Sequence, residues 1–290
     1  YHLEEGDVTV AENENGAFSY QGEDKDENRT YVDKDTKDNG QIIIKQTEGT
    51  TTDNTVTVEE NVTNKDGDRD VDIILDGVNV DTSDTSTPTD TPTEVSADTK
   101  EDKTIIKVGE GADVDLTVKD SNLTTGGHGI DIGVNLDDKD DNKGAKVDLT
   151  LDNTQINLTQ NGKAGINVQD NSDVKLTLKG DDNLIDGSKA IENEKEGILT
   201  KNVNVEGIRV GDGGASDGSG TSAGAKTNLT ISGGVEKTET AETDTEETES
   251  PAGGSLTISD TTGGLVMADG SDVEITDGAG VTIEETKTSG

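Results

Sequence analysis

The stretch GINVQDNSDVKLTLKGDDNLIDG, residues Gly165–Gly187, decides the fold. It contains three short segments in which Ile, Val or Leu alternates with another residue, and Asn, Asp and Gly separate the segments. Alternation at a period of two turns one face of each segment toward a core, as in a half-buried β-strand. The stretch therefore predicts three consecutive strands joined by turns at Asn, Asp or Gly.

Variants of these strands recur along most of the chain. One motif approximates Val-x-Leu-Thr-[Val/Leu/Ile] followed by Asp or Gly, and the other is Gly-[Ile/Leu]-x-[Val/Ile/Met]. Units that cannot bury an apolar face alone bury it by stacking, so the recurrence predicts an all-β solenoid. The spacing varies, which predicts irregular coil lengths. The first motif occurs at 71–80, 114–125, 147–158, 174–186, 227–234 and 255–265, and the second at Gly129–Ile132, Gly165–Val168, Gly207–Val210 and Gly264–Met267.

The composition limits the kind of core that the chain can form. Of its 290 residues, 27% are hydrophobic and 1% aromatic, which is too little for a thick globular core. A solenoid needs only a thin core, one side chain deep from each wall. The clustering of the apolar residues in strand-like alternation argues against disorder. The absence of cysteine fits this architecture in any compartment.

The charge of the chain excludes two classes of partner. Asp and Glu number 64 against 24 Lys and Arg, which gives a net charge of −40. Nucleic acids and anionic lipid surfaces both require clusters of Lys and Arg, so we expect neither as a partner. No apolar run approaches the ~18 residues of a membrane span, and we predict none. The abundance of Thr, Asn, Asp and Gly favours an extracellular or cell-surface location.

Two segments read as insertions into the repeat. Residues 81–103 carry two of the three prolines and few apolar residues, and residues 235–250 are strongly acidic. Such compositions are typical of solvated loops. We therefore divide the chain into an N-terminal segment, 1–41, and a β-helical region, 42–290, with loop insertions at 81–103 and 235–250.

All four aromatic residues of the chain, Tyr1, Phe18, Tyr20 and Tyr31, lie in the N-terminal segment. A solenoid must cover the open edge of its first coil, so these rings predict a cap or a contact with another subunit. A platform on which a glycan stacks is a third reading. No aromatic residue marks the other end, which leaves a C-terminal edge open for end-to-end pairing.

The repeats resemble the β-solenoid segments of secreted surface proteins of clostridia-like bacteria, some described as carbohydrate-binding-domain-containing proteins. The resemblance lies in DVDIILDGVNVD (70–81), TIIKVGEGADVDLTVKDSNLTTGGHGIDI (104–132) and SLTISDTTGGL (255–265), and looser repeats extend it over 42–283. It implies a right-handed parallel β-helix of pectate-lyase-like shape. It also implies an extracellular protein that is often part of a larger surface protein.

The sequence Gly126–Gly127–His128–Gly129 raises the question of catalysis, because polygalacturonase-like hydrolases of this shape use Gly-His-Gly beside paired Asp residues. Inverting hydrolysis needs two carboxyl groups ~6.5–9.5 Å apart that flank the scissile bond. The nearest pair, Asp140 and Asp141, follows the Gly-His-Gly and lies in the highly charged loop DDKDDNKG. We therefore interpret His128 as a turn residue and predict a protein without enzymatic activity or catalytic residues.

Calcium is the candidate metal, and no cofactor is required. Hard cations prefer carboxylate and carbonyl oxygens from flexible loops rich in Asp, Asn and Gly, and three segments offer them. None completes a known calcium loop, and solvated strand faces explain the same acids equally well. The candidate ligands are Asp66, Asp68, Asp70, Asp137, Asp138, Asp140, Asp269 and Asp272.

These observations lead to one functional hypothesis and two alternatives. The hypothesis is an extracellular structural or adhesive cell-surface β-solenoid, in its sharper form a subunit that self-assembles end to end into fibres. Its partners are then copies of itself or other surface components. The first alternative is a carbohydrate-binding module of a larger surface protein, with a glycan as ligand. The second, less favoured, is a polysaccharide-degrading β-helix enzyme.

Overall fold

The computed structural model of the chain describes residues 1–14, 16–22, 29–31, 41–63, 71–83, 103–136, 143–196, 204–211, 226–234, 253–276 and 278–284. These residues are almost entirely β-structure, in agreement with the all-β prediction. Among them are one 3-10 helix, Leu3–Glu5, and one α-helix, α1, Ser188–Glu196. The predicted insertions lie almost wholly outside the described residues.

The strands form three sheets, which we number in the order in which the chain visits them from residue 71 onward. Sheet 1 consists of β4 (Ile42–Lys45), β6 (Val71–Asp76), β9 (Asp113–Lys119), β12 (Lys146–Asp152), β15 (Asp173–Lys179), β18 (Asn228–Gly233) and β21 (Asp272–Thr276). Sheet 2 consists of β7 (Asn79–Asp81), β10 (Asn122–Thr125), β13 (Gln155–Leu158), β16 (Asn183–Asp186), β19 (Ser255–Ser259) and β22 (Gly280–Glu284).

Sheet 3 has nine strands. Seven of them pair in parallel, and β2 and β3 extend the sheet antiparallel beyond β1. Its strands are β1 (Val8–Asn13), β2 (Gly16–Gln21), β3 (Thr30–Tyr31), β5 (Val56–Val58), β8 (Ile106–Gly109), β11 (Ile130–Val134), β14 (Ala164–Val168), β17 (Glu206–Val210) and β20 (Gly263–Met267).

From β6 onward, successive strands enter sheets 1, 2 and 3 in turn, so that three strands make one layer and the next layer stacks on it. The stretch Gly165–Gly187 illustrates the rule, because its three strands are β14, β15 and β16 in sheets 3, 1 and 2. The strands of sheet 1 pair without a shift in register, so that Leu149 of β12 lies between Leu116 and Leu176. These three side chains are fully buried, and equivalent Val, Ile and Leu columns form the core.

Two corners of each layer use a residue with positive φ, as the Asn, Asp and Gly turns predicted. Their φ values run from 47° to 88°. Gly144 illustrates why the backbone is fixed there, because a Cβ would lie 2.2 Å from the backbone carbon of Asn171 in the next layer. The residues are Gly77, Asp120, Asn153, Gly180 and Gly278 between sheets 1 and 2, and Asn61, Gly111, Gly144, Asn171, Gly211 and Gly270 between sheets 3 and 1.

The glycine of the second sequence motif has a packing role at the third corner, between sheets 2 and 3. A Cβ at Gly165 would lie 2.5 Å from Cγ2 of Ile185 in sheet 2. The same clash would arise between Gly207 and Ile258 at 2.4 Å. The motif therefore needs glycine because an isoleucine from sheet 2 occupies the space that a side chain would fill.

The alignment of one repeat from the sequence was wrong. SLTIS (255–259) resembles the strands of sheet 1, but as β19 it lies in sheet 2 and pairs with β16. The sheet 1 strand that stacks on β18 is β21, with the sequence DVEIT. Strands of both sheets bury one face and so share the same alternation, which does not distinguish the sheets.

Candidate functional site

The N-terminal end of the stack is closed by the chain itself. Tyr1 and His2 lie along the free edge of β4: Lys45 donates its backbone N–H to the Tyr1 carbonyl over 2.9 Å, and His2 forms a parallel bridge with Lys45. Leu3 then enters the core and is fully buried. Asn54 Nδ2 donates to the Leu3 carbonyl over 2.8 Å. Backbone edge and apolar core are therefore both covered at this end.

The structure shows the side-chain contacts of three of the four aromatic residues. The Tyr1 hydroxyl donates to the Ser19 carbonyl over 2.9 Å and accepts from Ser19 Oγ over 2.8 Å. Phe18 and Tyr20 stack with ring centroids 6.0 Å apart in a small buried cluster of their own. The Arg29 guanidinium lies 5.2 Å from the Phe18 ring centre. These rings pack within the chain, and a contact with another subunit through Tyr1, Phe18, Tyr20 or Tyr31 stays a prediction.

An acidic side chain fastens the closed end. Glu4 Oε1 accepts hydrogen bonds from the backbone N–H of Thr47, at 3.1 Å, and from the Thr47 hydroxyl. The bond from the Thr47 hydroxyl is the largest cause that lowers the pKa of Glu4 from 4.5 to about 2. The ionised form of Glu4 is therefore the one that holds the 3-10 helix against the loop after β4.

The C-terminal end differs, because core side chains of its last layer are left half exposed. Ile231 of β18 and Ile258 of β19 are fully buried, whereas Ile275 and Ile283, which pair with them in the next layer, are 49% and 47% exposed. Met267 of β20 is 47% exposed where its partner Val210 is fully buried. No described residue covers these side chains or pairs with the outer edges of β20, β21 and β22. We call this surface the open end.

The rim of the open end is acidic. Asp272 and Glu274 on β21 and Glu284 on β22 are all exposed. Of the proposed calcium ligands, Asp269 and Asp272 are described, and both are exposed near the start of β21. The described residues contain no group of three or more His, Cys, Asp or Glu placed to hold a metal ion. The other six, Asp66, Asp68, Asp70, Asp137, Asp138 and Asp140, lie outside the described residues, and the calcium site stays a prediction.

A row of polar side chains crosses the outer face of sheet 3. Asp131, Asn167 and Arg209 occupy the same position on β11, β14 and β17, which pair in register. Their strand neighbours point into the core, so the three side chains point outward. Asp131 and Asn167 are nevertheless only 7% exposed each. Polar groups buried to this extent require hydrogen-bond partners.

Asp131 is held by two amides. Its Oδ1 accepts from Asn167 Nδ2 over 2.8 Å and from Gln169 Nε2 over 2.9 Å. Its Oδ2 accepts no hydrogen bond from any described residue. Farther along the row, Arg209 forms an ion pair with Glu206, which is 6% exposed and also accepts from Asn204 Nδ2 over 3.0 Å. The row thus contains fixed donors and a fixed carboxylate.

His128 lies beside this row, at the corner that leads into β11. Its Nδ1 accepts the backbone N–H of Ala164 over 3.0 Å, which places the proton of the neutral imidazole on Nε2. Burial lowers the pKa of His128 below its ordinary value, while the Asp131 carboxylate acts in the opposite direction and Arg209 and Lys163 add to the lowering. The imidazole is therefore neutral at neutral pH, with Nε2–H as a donor. Asp140 and Asp141, the pair considered with it, lie outside the described residues.

Sequence reasoning identified His128 and missed the row. The signal was present at the variable position of the Gly-[Ile/Leu]-x-[Val/Ile/Met] motif, which reads Asp131, Asn167, Arg209 and Val266 in successive copies. That position always points away from the core, and in three copies it is polar. What the sequence does not give is the burial of these side chains, which depends on packing between layers.

Comparison with known proteins gives no further guide to function. No family model, curated protein or solved structure matches this chain. In the part of the chain that the structure describes, neither helix has the length and apolar character that a membrane crossing demands.

Proposed function

We propose that this chain is a structural β-solenoid of the cell surface, a right-handed parallel β-helix that self-assembles end to end. The single observation that carries the proposal is the open end, where the core columns of the stack continue into side chains that are half exposed. Exposed apolar surface bounded by unpaired strand edges is a template for another layer.

The geometry of the stack supports extension by addition of layers. Seven strands spaced about 4.8 Å apart give sheet 1 a height of about 30 Å. One copy therefore contributes about 30 Å of stack, and pairing of two copies through their open ends would double this length. The edge strands determine which residues the next layer must provide. Each of them presents two inward apolar residues that require apolar partners in register.

The acidic surface has a supporting role in this proposal. On the outer face of sheet 1, acids and lysines alternate along one ladder, where Lys146 lies between Asp113 and Asp173, while Asp72, Asp115 and Asp148 are neighbours along another. Like charges in register oppose side-by-side pairing of two such faces. A net charge of −40 therefore limits lateral aggregation and leaves the ends as the favoured contacts.

Self-assembly can be tested by placing charges in the open end. We expect sedimentation velocity of the intact chain to show association that rises with concentration. The double variant Ile275→Lys, Ile283→Lys should be monomeric, because two ammonium groups then occupy the apolar contact. Ile43→Lys is the matched control, since Ile43 is 40% exposed on the outer face of β4 near the closed end. The control should associate as the unaltered chain does.

Two results would contradict the proposal. A chain that stays monomeric up to its solubility limit has no self-complementary end. Association that survives the double variant but is lost in Ile43→Lys places the contact on the outer face of sheet 1. Electron microscopy of the assemblies gives an independent check, because end-to-end growth lengthens particles without widening them.

A further inference from the structure

We propose that the open end pairs with the open end of a second copy, that assembly therefore stops at a two-fold dimer, and that the acidic rim opposes this pairing at low ionic strength. This pairing rests on the proposed function, whose partner surface and regulation it specifies. Three features of the described residues support it: the closure of the N-terminal end, the free edges of the open end and the charges on the rim.

The closed end offers no layer on which an open end can stack. In sheet 1, His2 bridges to Lys45 along the edge of β4. In sheet 2, Thr52 donates its backbone N–H to the Asn79 carbonyl over 3.2 Å and accepts the backbone N–H of Asp81 over 2.8 Å, so the edge of β7 is occupied as well. In sheet 3, the outermost described strand at this end is β3, which has two residues. Head-to-tail stacking therefore finds no set of three free edges.

The open end presents a complete set of edges. β20, β21 and β22 have five residues each, and no described strand pairs with their outer edges. The six residues that follow β22, ETKTSG at 285–290, contain no Val, Ile, Leu or Met and so cannot supply the apolar partners that these edges require. A second open end supplies all of them. A contact between two identical surfaces leaves neither copy with a free open end, so assembly closes at two copies.

The facing strands of the two copies run antiparallel. Seen from its own open end, each copy turns in the same sense, so two ends placed face to face bring together strands of opposite direction. Antiparallel edges form hydrogen-bonded pairs as parallel edges do. Inward residues such as Ile275 and Ile283 then meet inward residues of the other copy, and outward residues meet outward residues.

The outward residues that meet include acids. Asp272 and Glu274 on β21 and Glu284 on β22 are exposed, and the three edge strands contain no Lys or Arg. In the dimer these acids lie close to those of the other copy, and like charges on neighbouring strands oppose pairing. Dissolved salt screens exposed charges of this kind. The apolar contact thus favours the dimer, the rim opposes it, and ionic strength sets the balance.

The test is sedimentation equilibrium of the intact chain in about 50 mM and about 500 mM NaCl, between which screening of surface charge changes strongly. We expect a lower dissociation constant at the higher salt concentration. At both concentrations the mass should approach a limit of twice the 30.2 kDa of one chain.

The decisive variant is the double substitution Glu274→Gln, Glu284→Gln. It removes four carboxylates from the contact, because each substitution acts in both copies. At low salt we expect a dissociation constant at least about tenfold lower than that of the unaltered chain, and a smaller effect of salt.

The matched control is Glu5→Gln, Glu48→Gln. Both residues are exposed and lie at the closed end, and the pair changes the net charge by the same amount. The control should dimerise as the unaltered chain does. Equal tightening by the two double variants would attribute the effect to net charge and overturn the role of the rim.

Two further results would overturn the inference. A dissociation constant that rises with salt contradicts repulsion between the rims. A mass that keeps rising beyond two copies contradicts closure at a dimer but leaves end-to-end assembly intact. Absence of any association at either salt concentration contradicts the proposed function as well, so the two failures are distinguishable.

Discussion

The two ends of the stack present the same kind of core and finish it differently. At the N-terminal end Leu3 is fully buried, and Tyr1 and His2 occupy the edge of β4. At the C-terminal end Ile275 and Ile283 are 49% and 47% exposed, and the edges of β20, β21 and β22 have no described partner. The N-terminal closure is built from residues a few tens of positions away in sequence. The open end has no such closure among the described residues.

The difference shows that the repeat pattern determines how interior layers are buried, whereas each end must be covered by residues that do not follow the repeat. Every interior layer is buried by identical neighbours, so the repeat pattern suffices there. At an end one neighbour is missing, and the edge must be covered, charged or paired. The first end is covered by a short 3-10 helix and three antiparallel strands, and the second carries charge only on its rim.

The largest loss of stability is expected from a core substitution at the closed end. Leu3→Ala removes a fully buried side chain and should lower the free energy of unfolding by about 2–5 kcal/mol. Ile283→Ala at the open end should cost about 1 kcal/mol or less, since half of that side chain is already exposed. Urea unfolding of both variants measures the two costs. Equal costs would mean that the ends do not differ in the way described.

A pair of glycines provides the next test. Gly165→Ala in the interior places a Cβ against Ile185 at 2.5 Å and against the Gly207 carbonyl oxygen at 2.9 Å, and neither can move freely. Gly264→Ala at the open end places its Cβ nearest to Ile283, at 2.5 Å, and that side chain is half exposed and can turn away. We expect a loss of about 1–3 kcal/mol at Gly165 and clearly less at Gly264. Thermal unfolding of the two variants measures both losses of stability. A larger loss for Gly264→Ala than for Gly165→Ala would contradict the packing at the open end.

A smaller effect is expected from the hydroxyl of Tyr1. Tyr1→Phe removes the group that pairs with Ser19, a residue that is fully buried. The expected loss is about 1 kcal/mol, because Ser19 Oγ loses its acceptor in a desolvated place. The double variant Tyr1→Phe, Ser19→Ala should recover part of that loss. If the double variant is instead as unstable as the sum of the single ones, the bond contributes nothing specific.

The smallest effect concerns pH at the closed end. The pKa of Glu4 lies at about 2 in the folded chain against 4.5, so unfolding takes up protons between these values. Glu4 therefore stabilises the fold above pH 4.5, and this contribution is lost as the pH falls toward 2. The stability difference between the unaltered chain and Glu4→Gln should narrow on acidification. Thr47→Val should reduce the same pH dependence, because it removes the largest cause of the lowered pKa, and a constant difference from pH 5 to 2 would contradict the assignment.

Much of the fold was predictable from particular residues. The alternation in VKLTL (174–178) and the turn residues Asn171 and Gly180 place a strand between two corners, as the structure has it. Such features are local, because period-two burial and positive φ are properties of a few consecutive residues. The assignment of SLTIS to the wrong sheet marks the limit, since strands of sheets 1 and 2 bury the same kinds of side chain.

The candidate sites were less predictable. His128 stood out by its rarity, but Asp131 and Gln169 did not, since the chain has many acids and amides and their burial arises between layers. The absence of a C-terminal aromatic cap suggested an open edge, but the exposure of Ile275 was visible only once its partner strand was known.

The sequence by itself determined that this chain forms short strands, where each one turns and which residues face the core, because these depend on side chains a few positions apart. Only the tertiary structure decided which sheet a strand enters, which end remains open and which outward side chains are buried together. These properties depend on neighbours one layer away, between 24 and 73 residues along the chain in the parallel pairings. Over such distances the pattern of one strand carries no information about the strand beside it.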